Sequence, residues 1–264
     1  MNTIIKQIDH ILIRTEDPAP LYALLSETFQ LPTVWPLATF GGRAFTTGGL
    51  CAGNVNLEVL RLDSLPMHTA NTQFLGIAFE PTRLDASLIE LDRRGLEYDE
   101  PAPYYETRPD GEKHLRWTNV QLEAFLPGSM IFLCQYNLDI EARRGHGRTE
   151  LDARSGGPLG LVGVREVIVA TQAMDTTVTR WDQLLAPIPS PEMRLWKPEN
   201  GPAIRLVQGA DDQIIALVWE VASLTDARAF LDKNDLLGDG SDGHLTIDPV
   251  KVEGLDIRLV EARM

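Results

Sequence analysis

Two side chains able to hold a cation or move a proton stand on strand-like patterns: His10 in Ile8-Asp9-His10-Ile11-Leu12-Ile13, and Glu58 in Leu57-Glu58-Val59-Leu60-Arg61. Side chains alternate across a strand, so His10 shares a face with Leu12 and Arg14 while Ile11 and Ile13 take the other. By the same rule Glu58 goes with Leu60, and Leu57 and Val59 point away. An imidazole and a carboxylate on one face suit a divalent transition metal. Without a metal, the pair reads as a buried histidine hydrogen-bonded to the partner that a buried Glu58 would need in any case.

A third donor is His114, in Glu112-Lys113-His114-Leu115-Arg116-Trp117, where alternation sets His114 and Arg116 opposite Leu115 and Trp117. A lone strand histidine also reads as a solvated or hydrogen-bonded structural residue. His68, His146 and His244 lie in polar stretches and read as surface residues. Cys51 and Cys134 form none of the paired spacings of a zinc or redox motif and read as small buried apolar residues. No side chain stands out as a catalytic base.

The elements that must position these groups form a repeat. Four segments open a unit: Ile8 to Ile13, Phe74 to Phe79, Val164 to Val169 and Ile214 to Trp219. Each is followed by an amphipathic helical pattern, over Ala19–Phe29, Leu84–Arg94, Thr176–Leu185 and Leu224–Asn234, the second stopped by Gly95. Each unit closes on a further strand, Leu57–Arg61, Ile131–Gln135, Ile204–Gln208 or Ile257–Glu261, and these four align without gaps. Pro- and Gly-punctuated stretches between them, such as Arg108-Pro109-Asp110-Gly111-Glu112, predict hairpin turns. Each unit therefore reads β-α-β-β-β. The segment from Asp139 to Pro158, rich in Arg, Gly and Glu and without apolar period, reads as a linker between residues 1–138 and 159–264.

Composition narrows the function classes. The 264 residues, 44% hydrophobic and 23% charged, have the profile of a globular chain. A net charge of −14 would repel phosphate backbones and anionic lipid, which argues against nucleic-acid and membrane-surface binding. No stretch approaches the length needed to span a bilayer, so a cytoplasmic location is expected.

With these residues in view, the chain resembles the vicinal oxygen chelate superfamily of glyoxalases, bleomycin-resistance proteins and extradiol dioxygenases. The resemblance covers nearly the whole sequence. Its most specific part is the first unit, where Ile8-Asp9-His10-Ile11 and Gly53-Asn54-Val55-Asn56-Leu57-Glu58-Val59 match the superfamily's His and Glu metal-ligand positions. The resemblance implies an α+β fold in which four βαβββ units form two cupped mixed β-sheets, in a monomer or a homodimer. It implies a divalent metal, Fe, Mn, Ni or Zn, at His10 and Glu58, to which the alternation of its own strand would add His114 as a third ligand. Departures set this in doubt: the alignment answers His10 with Gly76, Glu166 and Ala216, and Glu58 with Phe132, Arg205 and Arg258. Extradiol dioxygenases need two His and one Glu, and glyoxalase-type sites generally four protein ligands. Glu166 could satisfy Arg205 and Arg258 as an ion pair, or the two arginines could grip a substrate anion.

Two functions follow. One is a small-molecule enzyme in which a metal polarises a substrate oxygen, by isomerase, lyase or dioxygenase chemistry. The other is a metal-free protein that sequesters a planar ligand, as bleomycin-resistance proteins do, and Phe132 at a vacated ligand position favours it. Trp35, Phe40, Phe45, Tyr104, Tyr105 and Trp117 fall in the segments expected to line the cups, with Trp35, Phe45, Trp117, Phe132, Arg205 and Arg258 as the candidate substrate-binding set.

Overall fold

The computed structural model describes residues 2–40, 45–62, 72–108, 110–123, 125–127, 129–137, 140–189, 194–241 and 243–263, with 140–144 as backbone only. The first unit comprises β1 (Ile5–Arg14), α1 (Pro18–Ala23), a π-helical continuation (Leu24–Thr28), β2 (Thr33–Phe40), β3 (Phe45–Cys51) and β4 (Asn56–Leu62). The second comprises β5 (Gln73–Pro81), α2 (Leu84–Arg94), β6 (Ala102–Thr107), β7 (Lys113–Gln121) and β8 (Met130–Tyr136). After α3 (Ile140–Ala153) come β9 (Leu161–Thr171), α4 (Met174–Leu185), β10 (Leu195–Trp196) and β11 (Ala203–Gln208). The last unit is β12 (Gln213–Val221), α5 (Leu224–Lys233), β13 (Leu237–Ser241), β14 (His244–Ile247) and β15 (Ile257–Glu261).

Local chemistry sets the helix ends. Asp17 caps α1, accepting from Ala19 N, and Ser223 caps α5, accepting from Asp226 N. Gly95 ends α2 at φ 68°, a left-handed conformation that a side chain would disfavour.

Two mixed sheets result, one of eight strands in the order β2-β3-β4-β1-β5-β8-β7-β6 and one of seven in the order β10-β11-β9-β12-β15-β14-β13. In every unit the first strand runs parallel to the last, and units join through antiparallel first strands. The registers superpose. Across the first join His10 faces Ala78 and Leu12 faces Gly76, while Leu12 lies beside Glu58 as Ala78 lies beside Phe132. Across the second join Glu166 faces Val218 and Ile168 faces Ala216, with Ile168 beside Arg205 and Val218 beside Arg258. His10, Gly76, Glu166 and Ala216 thus hold one equivalent position and Glu58, Phe132, Arg205 and Arg258 the other, as the repeat alignment expects.

One face of each sheet meets the helices in a continuous apolar core that runs through both halves, including Ile11, Val59, Phe79, Trp181, Trp196 and Trp219. Rings cross the boundary: Phe29 meets Trp219 and Phe79 meets Trp181, each at 6.2 Å between centroids. The opposite faces carry two smaller apolar clusters, one around Leu12, Leu60, Ala78, Phe132 and Cys134, the other around Ile168, Ala216 and Val218.

Two details differ from the sequence reading. The Arg- and Gly-rich segment read as a linker, for which no helix was expected, carries α3, which packs on the first unit: Leu151 is fully buried, and a Cβ at Gly147 would stand 3.0 Å from that of Cys51. Pairs one turn apart, Arg148 with Asp152 and Arg154 with Glu150, support this helix where apolar periodicity does not. In the third unit the described residues show two strands after the helix instead of three; Pro187 and Pro189 lack the N–H that a ladder needs. Among the described residues no helix is long and apolar enough to cross a membrane. His68, Pro109 and Asp139 lie outside the described residues.

Candidate functional site

Asp9 comes to lie beside its neighbour because β1 is irregular where they meet β5. The register shifts between Ile8 and His10, so two residues of β1 oppose one of β5. Such a bulge re-aims a side chain that strict alternation would send to the other face. Asp9 Oδ2 lies 2.6 Å from His10 Nδ1, and His10 Nε2 lies 3.0 Å from Glu58 Oε2. Thr47 donates to Glu58 Oε1 at 2.5 Å, Trp35 Nε1 donates to Thr47 Oγ1 at 3.3 Å, and the Tyr136 hydroxyl donates to Asp9 Oδ2 at 2.9 Å.

His10, Thr47 and Tyr136 all point towards one of two carboxylates, and Trp35 supports Thr47 from behind. Both imidazole nitrogens face carboxylate oxygens, so both carry hydrogens and His10 is an imidazolium. Burial on its own would lower the pKa of His10. The charge of Glu58, hydrogen bonds to Asp9 and Glu58, and the charge of Asp9 overcome it and hold the group at about 10. Tyr136 is pushed above its ordinary range by burial and by the charge of Asp9. Asp9, His10 and Glu58 are all buried.

The surrounding wall is aromatic. Trp35 and Phe132 approach the His10 ring edge-on, at 6.1 and 5.9 Å between centroids. Trp35 can lie flat over β3 only because position 49 has no side chain: a Cβ on Gly49 would stand 2.4 Å from the indole carbons. On the other wall Tyr104 stacks on Trp117 at 4.2 Å and 13°, and Trp117 meets Tyr136 at 6.5 Å. Phe45 packs at the rim of the same cluster, with the more exposed Phe40 6.2 Å away. The structure thus brings His10, Glu58, Trp35, Phe45, Trp117 and Phe132 to one concave face. Tyr105 is half exposed on the edge strand β6.

Three candidates are placed elsewhere. His114 is not brought to His10 and Glu58. Among the described residues no three His, Cys, Asp or Glu side chains gather to hold a metal, and His114 pairs with Glu106 of the edge strand β6, beyond a register shift between Leu115 and Trp117 that interrupts the alternation of β7. Its Nε2 lies 3.5 Å from Glu112. Arg205 and Arg258 belong to the second cup. Arg205 grips Glu166 through Nε at 2.6 Å and Nη2 at 3.0 Å, which holds the Glu166 carboxyl below its usual range. Arg258 does not join them as expected. It pairs with Asp256, two residues back on the same segment, at 2.6 Å. His146 is exposed on α3, and His244 on β14 contacts Ser241 Oγ at 2.7 Å. Cys51 and Cys134 are both buried and form no disulfide.

Sequence reasoning missed Asp9, Thr47 and Tyr136. Adjacency to His10 was the one available signal for Asp9, and the bulge that makes it useful leaves no mark in the pattern.

A resident metal can be tested against these donors. In the first cup the equivalent positions supply His10 Nε2 and the Glu58 carboxylate, then Gly76 and Phe132. The glycine position is closed to any side chain, because a Cβ there would stand 1.9 Å from the carbonyl oxygen of Met130. Among the described residues no group of three or more His, Cys, Asp or Glu is arranged to hold a metal ion. Two donors, each already engaged, do not fit the three or four protein ligands that the resemblance implies.

A model of the glyoxalase-like domain matches residues 41–185, more than half of the chain. The chain belongs to the glyoxalase-like domain family. This places it in the vicinal oxygen chelate superfamily, and its paired curled sheets are the glyoxalase/dioxygenase fold. Solved structures agree on the fold. A mutant of 4-hydroxymandelate synthase from Streptomyces coelicolor superposes with a TM-score of 0.64 at 12% identity, covering 99% of this chain and 95% of that one. A variant of homoprotocatechuate 2,3-dioxygenase from Brevibacterium fuscum gives 0.63 at 12% identity, covering 99% and 72%. The Mn(II)-bound glyoxalase from Novosphingobium aromaticivorans gives 0.58 at 11% identity, covering 98% and 83%. No curated protein matches the sequence. The glyoxalase-like family thus supplies the fold and an enzyme superfamily, and this chain's own donors decide the chemistry.

Proposed function

We propose that the protein is a small-molecule enzyme whose first cup performs proton transfer with a fixed imidazolium in the role that a metal's charge takes in other superfamily members. One observation carries this reading: both nitrogens of His10 face carboxylate oxygens, at 2.6 and 3.0 Å. Asp9 fixes the ring and its charge. A substrate oxygen arriving at Nε2 would meet a preorganised donor in an apolar site, where such a donor stabilises developing negative charge best. Glu58, displaced from Nε2, then has an oxygen to accept a proton from the adjacent carbon, while Thr47 keeps the carboxylate oriented. This serves isomerase and lyase chemistry on a planar carbonyl compound. Trp35, Phe45, Trp117 and Phe132 supply the apolar walls.

The test is proton exchange. Incubated in D2O with a panel of aryl ketones and 2-oxo acids, the wild type should wash deuterium into carbons next to the carbonyl, and Glu58→Gln should abolish this while ligand binding persists. Binding without exchange in the wild type would leave sequestration, the reading that Phe132 at a ligand position favours. Stoichiometric binding of Mn2+, Fe2+, Ni2+ or Zn2+, lost in Glu58→Ala, would return the site to metal chemistry.

A further inference from the structure

The wall opposite Glu58 carries a polar atom that the network leaves out. Asn119 lies on β7 between Trp117 and Gln121, and it faces Cys134 across β7–β8 and Ala102 across β6–β7. Cys134, Phe132 and Tyr136 belong to the apolar cluster of the cup, so alternation sets Asn119 on the cup face with them. Its Oδ1 is buried and makes no hydrogen bond among the described residues. A buried amide oxygen without a partner carries the full cost of its lost hydration, and one that persists on a concave face is answered by whatever occupies that face. Beside it Tyr104 and Trp117, stacked face to face at 4.2 Å between centroids, form an aromatic wall that ends in Tyr104 at the exposed edge.

We infer that Asn119 is a substrate-anchoring residue, and that the cup takes a flat aromatic molecule whose edge carries a hydrogen-bond donor, hydroxyl or amine, directed at Asn119 Oδ1. This rests on the proposed use of the first cup and names its substrate class. The ring lies against Trp117 and Tyr104, the donor meets Asn119, and the group that reacts is presented towards His10 and Glu58. The two units of the cup then divide their work, the first holding the proton-transfer groups and the second the recognition groups. A ligand lacking the donor leaves the amide oxygen unpaired, which is how a site built around a hydrogen bond rejects an analogue of equal size.

Phenol and anisole are the probes, since they share ring and oxygen and differ in the donor. Ligand-observed NMR titrations on the wild type should show phenol binding several-fold more tightly than anisole. Asn119→Leu, close in size and without the oxygen, should bring the two to parity, while Tyr104→Ala should weaken both alike and keep their ratio. Equal binding of phenol and anisole to the wild type would overturn the assignment, as would failure of both to bind, or a phenol preference that survives in Asn119→Leu. The wild-type ratio decides the matter even if that variant fails to fold. His10→Ala and Glu58→Gln separate the two proposals: loss of deuterium exchange with the phenol preference intact concerns the chemistry, and loss of the preference in Asn119→Leu with exchange groups intact concerns recognition.

Discussion

Asp9 and His10 are consecutive residues of one strand, and their side chains meet at 2.6 Å instead of parting to opposite faces. The bulge at this point of β1 couples backbone irregularity to charge: it delivers a carboxylate to Nδ1 and so helps to hold the imidazole protonated, at about 10. The pH dependence follows. In the unfolded chain the group titrates near its ordinary 6.5, so below that value both states are protonated and the contribution of His10 to stability is fully present. As pH rises towards 10 the native state binds more protons than the unfolded one, and the contribution falls away. Urea unfolding at pH 6, 8 and 10 should therefore show declining stability in the wild type. In Asp9→Asn one source of the upward shift is gone, so the decline should be shallower and end at lower pH. A His10 resonance in the wild type that titrates near 6.5 would contradict the account.

Gly49 and Trp35 make a second prediction. Because a Cβ at position 49 would stand 2.4 Å from the indole carbons, Gly49→Ala must push Trp35 off the floor of the cup and break its hydrogen bond to Thr47. Overpacking of this kind costs about 1–3 kcal/mol. Equilibrium denaturation should report that loss, and tryptophan emission should shift as the indole moves towards solvent. A variant as stable as the wild type with unchanged emission would show that the ring has room to spare.

How much of this was legible beforehand depends on which physical rule was at work. Strand alternation and the repeat spacing are properties of the local chain, and they placed His10, Glu58, Phe132, Arg205 and Arg258 at positions that the strand registers superpose. For His114 alternation was no guide, because a register shift against β6 between Leu115 and Trp117 separates it from the residues of β7 that line the cup. Pairing partners are non-local, so the sequence could not say which side of β7 met the cup. Asp9 was hidden for a different reason, since an inserted residue in a ladder changes facing without changing composition. The partner of Arg258 was chosen by proximity along the chain, where Asp256 outcompetes the more distant Glu166.

The two halves interlock through Asn54, whose side chain accepts from Val164 N at 2.8 Å and donates to Val164 O at 2.9 Å. On the other side Glu253 accepts from Thr15 at 2.7 Å and from Thr72. With an apolar core that crosses the same boundary, the halves should unfold in one transition. Asn54→Ala removes a paired side-chain anchor from two backbone groups and should cost about 1–3 kcal/mol, since those groups lose their partner. Calorimetry should show a single peak for both proteins, lower in the variant. Two resolved peaks in the wild type would mean that the shared core does not couple the sheets.

Phe132 offers a gain-of-function test of why the cup lacks a metal's ligand set. It holds the position equivalent to Glu58, and its ring lies 5.9 Å from that of His10. Phe132→Glu would supply a third donor facing His10 Nε2 and Glu58, at the expense of a buried aromatic side chain, a loss of roughly 3–5 kcal/mol. A divalent ion that binds only the folded state should recover part of that loss, in proportion to the logarithm of its concentration over its dissociation constant. Thermal unfolding with and without millimolar Mn2+ should then show a metal-dependent rise in Tm for Phe132→Glu and none for the wild type. A comparable rise in the wild type would mean that His10 and Glu58 hold the ion unaided, and the imidazolium reading of the cup would have to be given up.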